Sequence, residues 1–197
     1  MAGVRVDDEA HIVAAKNLIL KNLEQGILIV EKSSAHIENN IIKENVKANI
    51  AFGGENSCNT AIIRNKIMGS RCEGIFMVES GKSFIYNNEI HDNYDGIISL
   101  TSFSEISYNK IFGNKCNGIM ILKDSQPNIT NNSICDNGGI GIVVRDKSKG
   151  NLTKNVISGN ELDVFVERKK EEGGYIKNDN KIAGEVRVSQ RGGCVFC

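Results

Sequence analysis

The chain has one proline and no tryptophan in 197 residues, three histidines, and no surplus of either charge, with 24 lysines and arginines against 24 acids. So little proline excludes a proline-rich linker or polyproline ligand. Balanced charge removes the global field that would favour nucleic acid or an anionic membrane, and no aromatic-and-basic interleaving points to nucleic acid, so none is expected as a partner. No apolar run approaches the ~18 residues of a membrane-spanning helix, so no transmembrane segment is expected. The opening MAGVRVDDEAHIV lacks the basic-then-apolar form of a signal peptide. With Met1 as the true start, the expectation is a cytoplasmic protein.

What is present is a repeat. From Gly74 the chain reads GIFMVESGKSFIYNNEIHDNYD, then GIISLTSFSEISYNKIFGNKCN, then GIMIL. Both units carry Ile-x-x-Asn-x-Ile-x-x-Asn: Ile85, Asn88, Ile90 and Asn93 in the first, Ile106, Asn109, Ile111 and Asn114 in the second. Aligned on the first Asn, the column runs Asn17, Asn40, Asn65, Asn88, Asn109, Asn132, Asn155. Two residues on stand Ile19, Ile42, Ile67, Ile90, Ile111, Ile134 and Ile157; five residues on stand Asn22, Asn45, Ser70, Asn93, Asn114, Asn137 and Asn160. A fixed period with four agreeing columns is the signature of a stacked architecture.

Within each unit the apolar residues alternate in short Ile- and Val-rich runs such as Gly118-Ile119-Met120-Ile121-Leu122, a period near two that excludes helical repeats. Asn and Gly tolerate the left-handed backbone that abrupt corners require, and stacked Asn amides can bond from coil to coil. An antiparallel sandwich would impose neither a strict period nor an Asn column. The expected fold is all-β: a right-handed, single-stranded parallel β-helix of about seven coils with irregular end caps.

The Gly-Ile, Ile-x-x-Asn-x-Ile-x-x-Asn coil resembles the repeat of the right-handed, pectin-lyase-like β-helix superfamily over roughly residues 14–167. The resemblance implies a fold rather than an activity. Its members include polysaccharide lyases and hydrolases, periplasmic copper-related proteins, and intracellular proteins such as F-box substrate receptors with a β-helix domain and the Shc-binding and spindle-associated β-helix proteins. The chain is closest in character to the intracellular group, which implies a ubiquitin-ligase-like recognition role.

The expected organisation is an N-terminal cap over 1–13, coils over 14–167, a charged turn with a degenerate last coil over 168–188, and a tail over 189–197. Phe52-Gly53-Gly54-Glu55-Asn56 is expected to bulge as a loop. Of six cysteines, Cys72 and Cys116 share a column two coils apart, roughly 9.6 Å at ~4.8 Å per coil and beyond disulfide reach. A reduced protein is expected. Cys194-Val195-Phe196-Cys197 fits a prenylation signal at Cys194, and so a lipid-anchored tail, or half of a thiolate zinc site; two free thiols are the plainer reading.

No metal site and no cofactor are expected. The nearest approach to a catalytic constellation is His91-Asp92, with Asp136 in the column of Asp92, two coils or roughly 9–10 Å away. Gly69, Gly113 and Gly159 share that column, so turn chemistry accounts for both acids. The parity of the strands turns Leu28, Ala51, Phe76, Ile98, Met120, Val143 and Phe165 outward as an apolar stripe. Such a stripe marks an interface, and the expected function is a non-catalytic scaffold or substrate-recognition module that binds a protein partner or self-associates through Leu28, Phe76, Ile98, Met120, Val143 and Phe165. The alternative is a glycan-active β-helix enzyme, lyase- or hydrolase-like, or a carbohydrate-binding module.

Overall fold

A computed structural model describes residues 1–54, 59–167 and 179–189. These form 24 short strands and no helix, in three parallel sheets of nine, seven and eight strands that the chain visits in turn. The result is a right-handed parallel β-helix of about seven turns. Its core is the stacked Ile columns: Ile85 pairs with Ile106 and Ile106 with Ile129, while Ile90 pairs with Ile111 and Ile111 with Ile134, all at 0% exposure. β-Branched side chains suit this arrangement because each lies in register against its own kind above and below.

The corners show how the Asn columns work. Between the seven- and eight-stranded sheets the left-handed residue is Lys16, Asn39, Arg64, Asn87, Tyr108, Asn131 or Lys154, with φ of 54–59°. It therefore stands one position ahead of the conserved-spacing Asn, which contributes its side chain and not an unusual backbone. The Asn88 backbone N–H and Nδ2 both donate to Asn109 Oδ1 at 2.9 and 3.0 Å, and Nδ2 also donates to the Ile62 carbonyl at 2.8 Å. Asn109 repeats the pattern toward Asn132 and Ile85. Each buried amide is thus satisfied by its neighbours along the axis, avoiding the roughly 1–3 kcal/mol that an unpaired buried polar group costs.

The second Asn ladder has a break and a repair. At Ser70 the amide is missing, but the column of repeat glycines carries Asn49 at the facing place. Asn45 Nδ2 donates to Asn49 Oδ1 at 2.7 Å, and Asn49 Nδ2 donates to Asn93 Oδ1 at 3.0 Å. In a regular coil a Cβ at Gly74 would sit 2.8 Å from Asn93 Nδ2, so a side chain fits at that column only where the ladder residue is small.

One loop expectation is corrected. Phe52 lies within the strand Ile50–Gly53, in register between Ile29 and Met77, and is 2% exposed. It is the third residue after the repeat-glycine position, which points inward, and fills core. Glu55 and Asn56 lie outside the described residues, as do most of the charged turn after Glu167 and the tail with Cys194.

Candidate functional site

Three outer faces carry side chains that the core does not use. On the nine-stranded sheet Leu28, Ala51, Phe76, Ile98, Met120, Val143 and Phe165 stand in direct register. Leu28, Phe76, Ile98 and Met120 are half-buried. Val143 and Phe165 are buried, 3% and 1% exposed, and form with Ile140 and Leu162 an apolar cluster separate from the main core, with Met120 against it. Arg145, bonded to Glu167 at 3.4 Å, holds its guanidinium 5.9 Å from the Phe165 ring centre. The stripe thus narrows toward its C-terminal end.

Beside it runs a polar column that the sequence reading passed over. Glu73 pairs with Asp95, and Asp95 Oδ1 accepts hydrogen bonds from the Asn117 backbone N–H and Nδ2 at 2.9 and 3.0 Å. Burial pushes both carboxyl groups above the usual carboxylate range, and at Glu73 the Asp95 charge adds to it. The available signal was the position before each repeat Gly, where Glu73, Asp95 and Asn117 follow one another.

On the eight-stranded sheet the outward ladder is Met68, His91, Phe112, Cys135. His91 Nδ1 lies 2.7 Å from Asp92 Oδ2, and its ring stacks on Phe112 with centres 4.8 Å apart and planes at 8°. Asp92 and Asp136 are left-handed corner residues, with φ of 56° and 54°, and Gly113 stands between them in the column. The structure brings His91 to Asp92 but not Asp92 to Asp136. Among the described residues no three His, Cys, Asp or Glu side chains converge to hold a metal ion.

The seven-stranded sheet presents the most exposed aromatic surface. Phe84 (50%) and Tyr86 (39%) flank the inward Ile85 on one strand, and Phe103 (50%) and Tyr108 (52%) flank the next strand, Glu105–Ser107. The Tyr86 and Tyr108 rings lie 5.4 Å apart, tilted by 58°. One coil back, Arg64 Nη1 donates to Glu38 Oε1 at 3.0 Å, and His36 Nε2 lies 3.1 Å from Glu38 Oε2. The His36 hydrogen bond, then Arg64, holds the Glu38 carboxyl below its ordinary range. A groove of about 510 Å³ opens beside Phe84, lined among others by His11, Ser34, His36, Thr60 and Lys82. These aromatics too went unread, because outward positions on two coils make no period.

Cys116 is disulfide-bonded, whereas Cys72 and Cys135 are free. This corrects the expectation of a fully reduced chain.

Comparison with known proteins bears on the same point. The model of a family described as periplasmic copper-binding protein (NosD) matches residues 1–185. None of the curated proteins matches. Among solved structures, the periplasmic alginate epimerase AlgG is similar at 21% identity and a TM-score of 0.64, and one of its variants at 23% and 0.65; each match covers 83% of this chain and 40% of that one. The chain therefore spans less than half the length of these structures, and at this identity the likeness is one of fold. The expectation of a cytoplasmic protein is overturned: the matching family is described as periplasmic, and a disulfide suits an oxidising compartment.

Proposed function

The chain belongs to the NosD family, and from that premise we propose that it works outside the cytoplasm as a β-helix that binds a polysaccharide chain across its seven-stranded face. The observation that carries this reading is the exposed Tyr86–Tyr108 pair, with Phe84 and Phe103 beside it and the groove of His11, His36 and Lys82 adjoining. Exposed aromatic rings offer flat apolar faces at little conformational cost, and the Tyr hydroxyls add polar tips, a combination that suits the alternating C–H faces and hydroxyl edges of sugars. Successive coils repeat at ~4.8 Å, so a linear polymer running along the axis can meet the aromatic rings of two neighbouring coils in turn. Lys82, on the groove, favours an acidic polymer, and alginate, the substrate named for the structural neighbour, is one.

Binding rather than cleavage is the reading because the acids are poorly placed for chemistry. Gly113 separates Asp92 from Asp136, and Asp95 is only 7% exposed. A protein partner on the stripe through Phe76 and Met120 is the competing reading. Affinity electrophoresis through gels containing alginate or polygalacturonate tests the choice. Wild-type protein should be retarded, and Tyr86→Ala with Tyr108→Ala should release it by at least tenfold in apparent affinity. Phe76→Asp with Met120→Asp should leave retardation unchanged; loss of retardation only in that second variant would transfer the site to the stripe.

The family's description also implies copper. The donors here that suit it are His91 and Met68, adjacent on one outer ladder. A bound copper ion would supply a soft Lewis acid. The residues' own part is to hold it, with Asp92 fixing the His91 ring through Nδ1 at 2.7 Å. That copper binds this chain is our second reading, and it is independent of the glycan face.

A further inference from the structure

We propose that Asn128, Thr130, Asn151 and Thr153 form a second sugar subsite on the seven-stranded face, which binds hydroxyl groups of the same polymer one and two coils beyond Tyr108. The inference rests on the glycan reading above and adds the direction in which the chain lies and the length it must have.

The sequence dictates the placement. Two strands read Asn128-Ile129-Thr130 and Asn151-Leu152-Thr153, and the central Ile129 and Leu152 point inward at 0% and 1% exposure. Strand alternation therefore turns the flanking Asn and Thr outward, where all four are partly accessible. They continue the aromatic columns in register. One outward column runs Phe84, Glu105, Asn128, Asn151, and the other runs Tyr86, Ser107, Thr130, Thr153.

Three features point to a ligand. First, the ladder fixes its own side chains and still has donors to give. Asn151 Nδ2 donates to Asn128 Oδ1 at 2.9 Å, and Asn128 Nδ2 meets no acceptor among the described residues. Thr130 Oγ1 accepts from Thr153 Oγ1 and from Asn131 Nδ2, both at 3.1 Å. A hydroxyl has two lone pairs and one hydrogen, so what Thr130 has left to offer is its hydrogen. Held rotamers also lower the ordering cost of binding. Second, stacking of the coils does not require these residues. Two and three coils earlier the same two columns carry Ala61 and Ile63, which pair equally well in the sheet. Third, the surface matches a sugar chain. Hydroxyl groups both give and take hydrogen bonds, and Glu105, exposed one coil before Asn128, adds an acceptor to the donors. From Tyr86 to Thr153 is three coil steps, roughly 14 Å at ~4.8 Å each. One step is close to the length of one pyranose residue, so a chain stacked on the tyrosines reaches the ladder after about two or three more sugars.

The test titrates the full chain, labelled with ¹³C in threonine methyl groups and tyrosine rings, with alginate disaccharide and hexasaccharide. The hexasaccharide should bind at least tenfold more tightly than the disaccharide and move the Thr130 and Thr153 methyl signals together with those of Tyr86 and Tyr108. Thr130→Val with Thr153→Val keeps the branched shape and removes the hydroxyls. Asn128→Asp keeps the oxygen that accepts from Asn151 and removes the outward donor. In each variant the hexasaccharide should fall to within threefold of the disaccharide, while the tyrosine signals still move and the melting temperature stays near the parent's. A hexasaccharide that shifts the tyrosines but neither threonine methyl, or a length gain intact in both variants, would overturn the subsite while the glycan reading stands. Binding of neither oligosaccharide by the parent protein would overturn both.

Discussion

At the scale of single residues, the structure turns two apparent lapses in the repeat into one device. Ser70 breaks the Asn column and Asn49 breaks the Gly column, and the Asn49 amide bridges the Asn45 and Asn93 amides across the gap that Ser70 leaves. Restoring either alone should therefore do harm. Ser70→Asn would press on the Asn49 side chain, and Asn49→Gly would leave the Asn45 and Asn93 amides without their link. Each single change should cost about 1–3 kcal/mol, and the double variant should regain most of it; urea unfolding of the four proteins measures the coupling. Additive losses would show that the residues act separately. Asp95 makes a second residue-scale case. Its folded pKa is raised, so ionisation disfavours the native state and stability falls as pH rises from the ordinary carboxylate value, about 4, through the raised one. Asp95→Asn keeps an oxygen to accept from Asn117 and removes the charge. Its melting temperature should exceed the parent's at pH 7, and the gap should close toward about pH 4; a gap independent of pH would refute the assignment.

The elements differ in how far they could be read in advance. The inward Ile columns and both Asn ladders were legible because the core demands one residue type at one spacing in every coil. Phe52 was misread because Gly53-Gly54 beside it looks like a loop, whereas a Cβ at Gly53 would overlap the Val78 carbonyl; the glycine marks close packing against the next strand. The left-handed corners were credited to Asn, yet Lys16, Arg64 and Tyr108 adopt them too, since the ladder behind them fixes the turn. Outer faces were the least legible: nothing periodic selects Tyr86, Tyr108 or the Glu73–Asp95 pair. For the inward elements the expected cost of damage is high. Ile111→Ala should lose roughly 2–5 kcal/mol, because Ile90 and Ile134 are held in register above and below and cannot close the hole. Urea unfolding showing less than 1 kcal/mol would mean that the stack relaxes more freely than its pairing suggests.

For the whole molecule, three sheets wound about one core leave three long faces, each free to carry different chemistry. The nine-stranded face is apolar and partly covered, the eight-stranded face carries Met68, His91 and Cys135, and the seven-stranded face carries exposed aromatics beside basic side chains. The expectation of a cytoplasmic protein failed because cysteines in unrelated columns reveal no pairing; the match to a family described as periplasmic points away from it. The central claim is that the seven-stranded face receives a glycan, and hydrogen–deuterium exchange with and without an alginate oligosaccharide addresses it most directly. The account predicts slowed exchange in Phe84–Tyr86, Glu105–Ser107 and the segment through Tyr108, with Glu73–Val78 and Ile119–Leu122 unaffected. Protection confined to Glu73–Val78 and Ile119–Leu122, or none at saturating oligosaccharide, would contradict it.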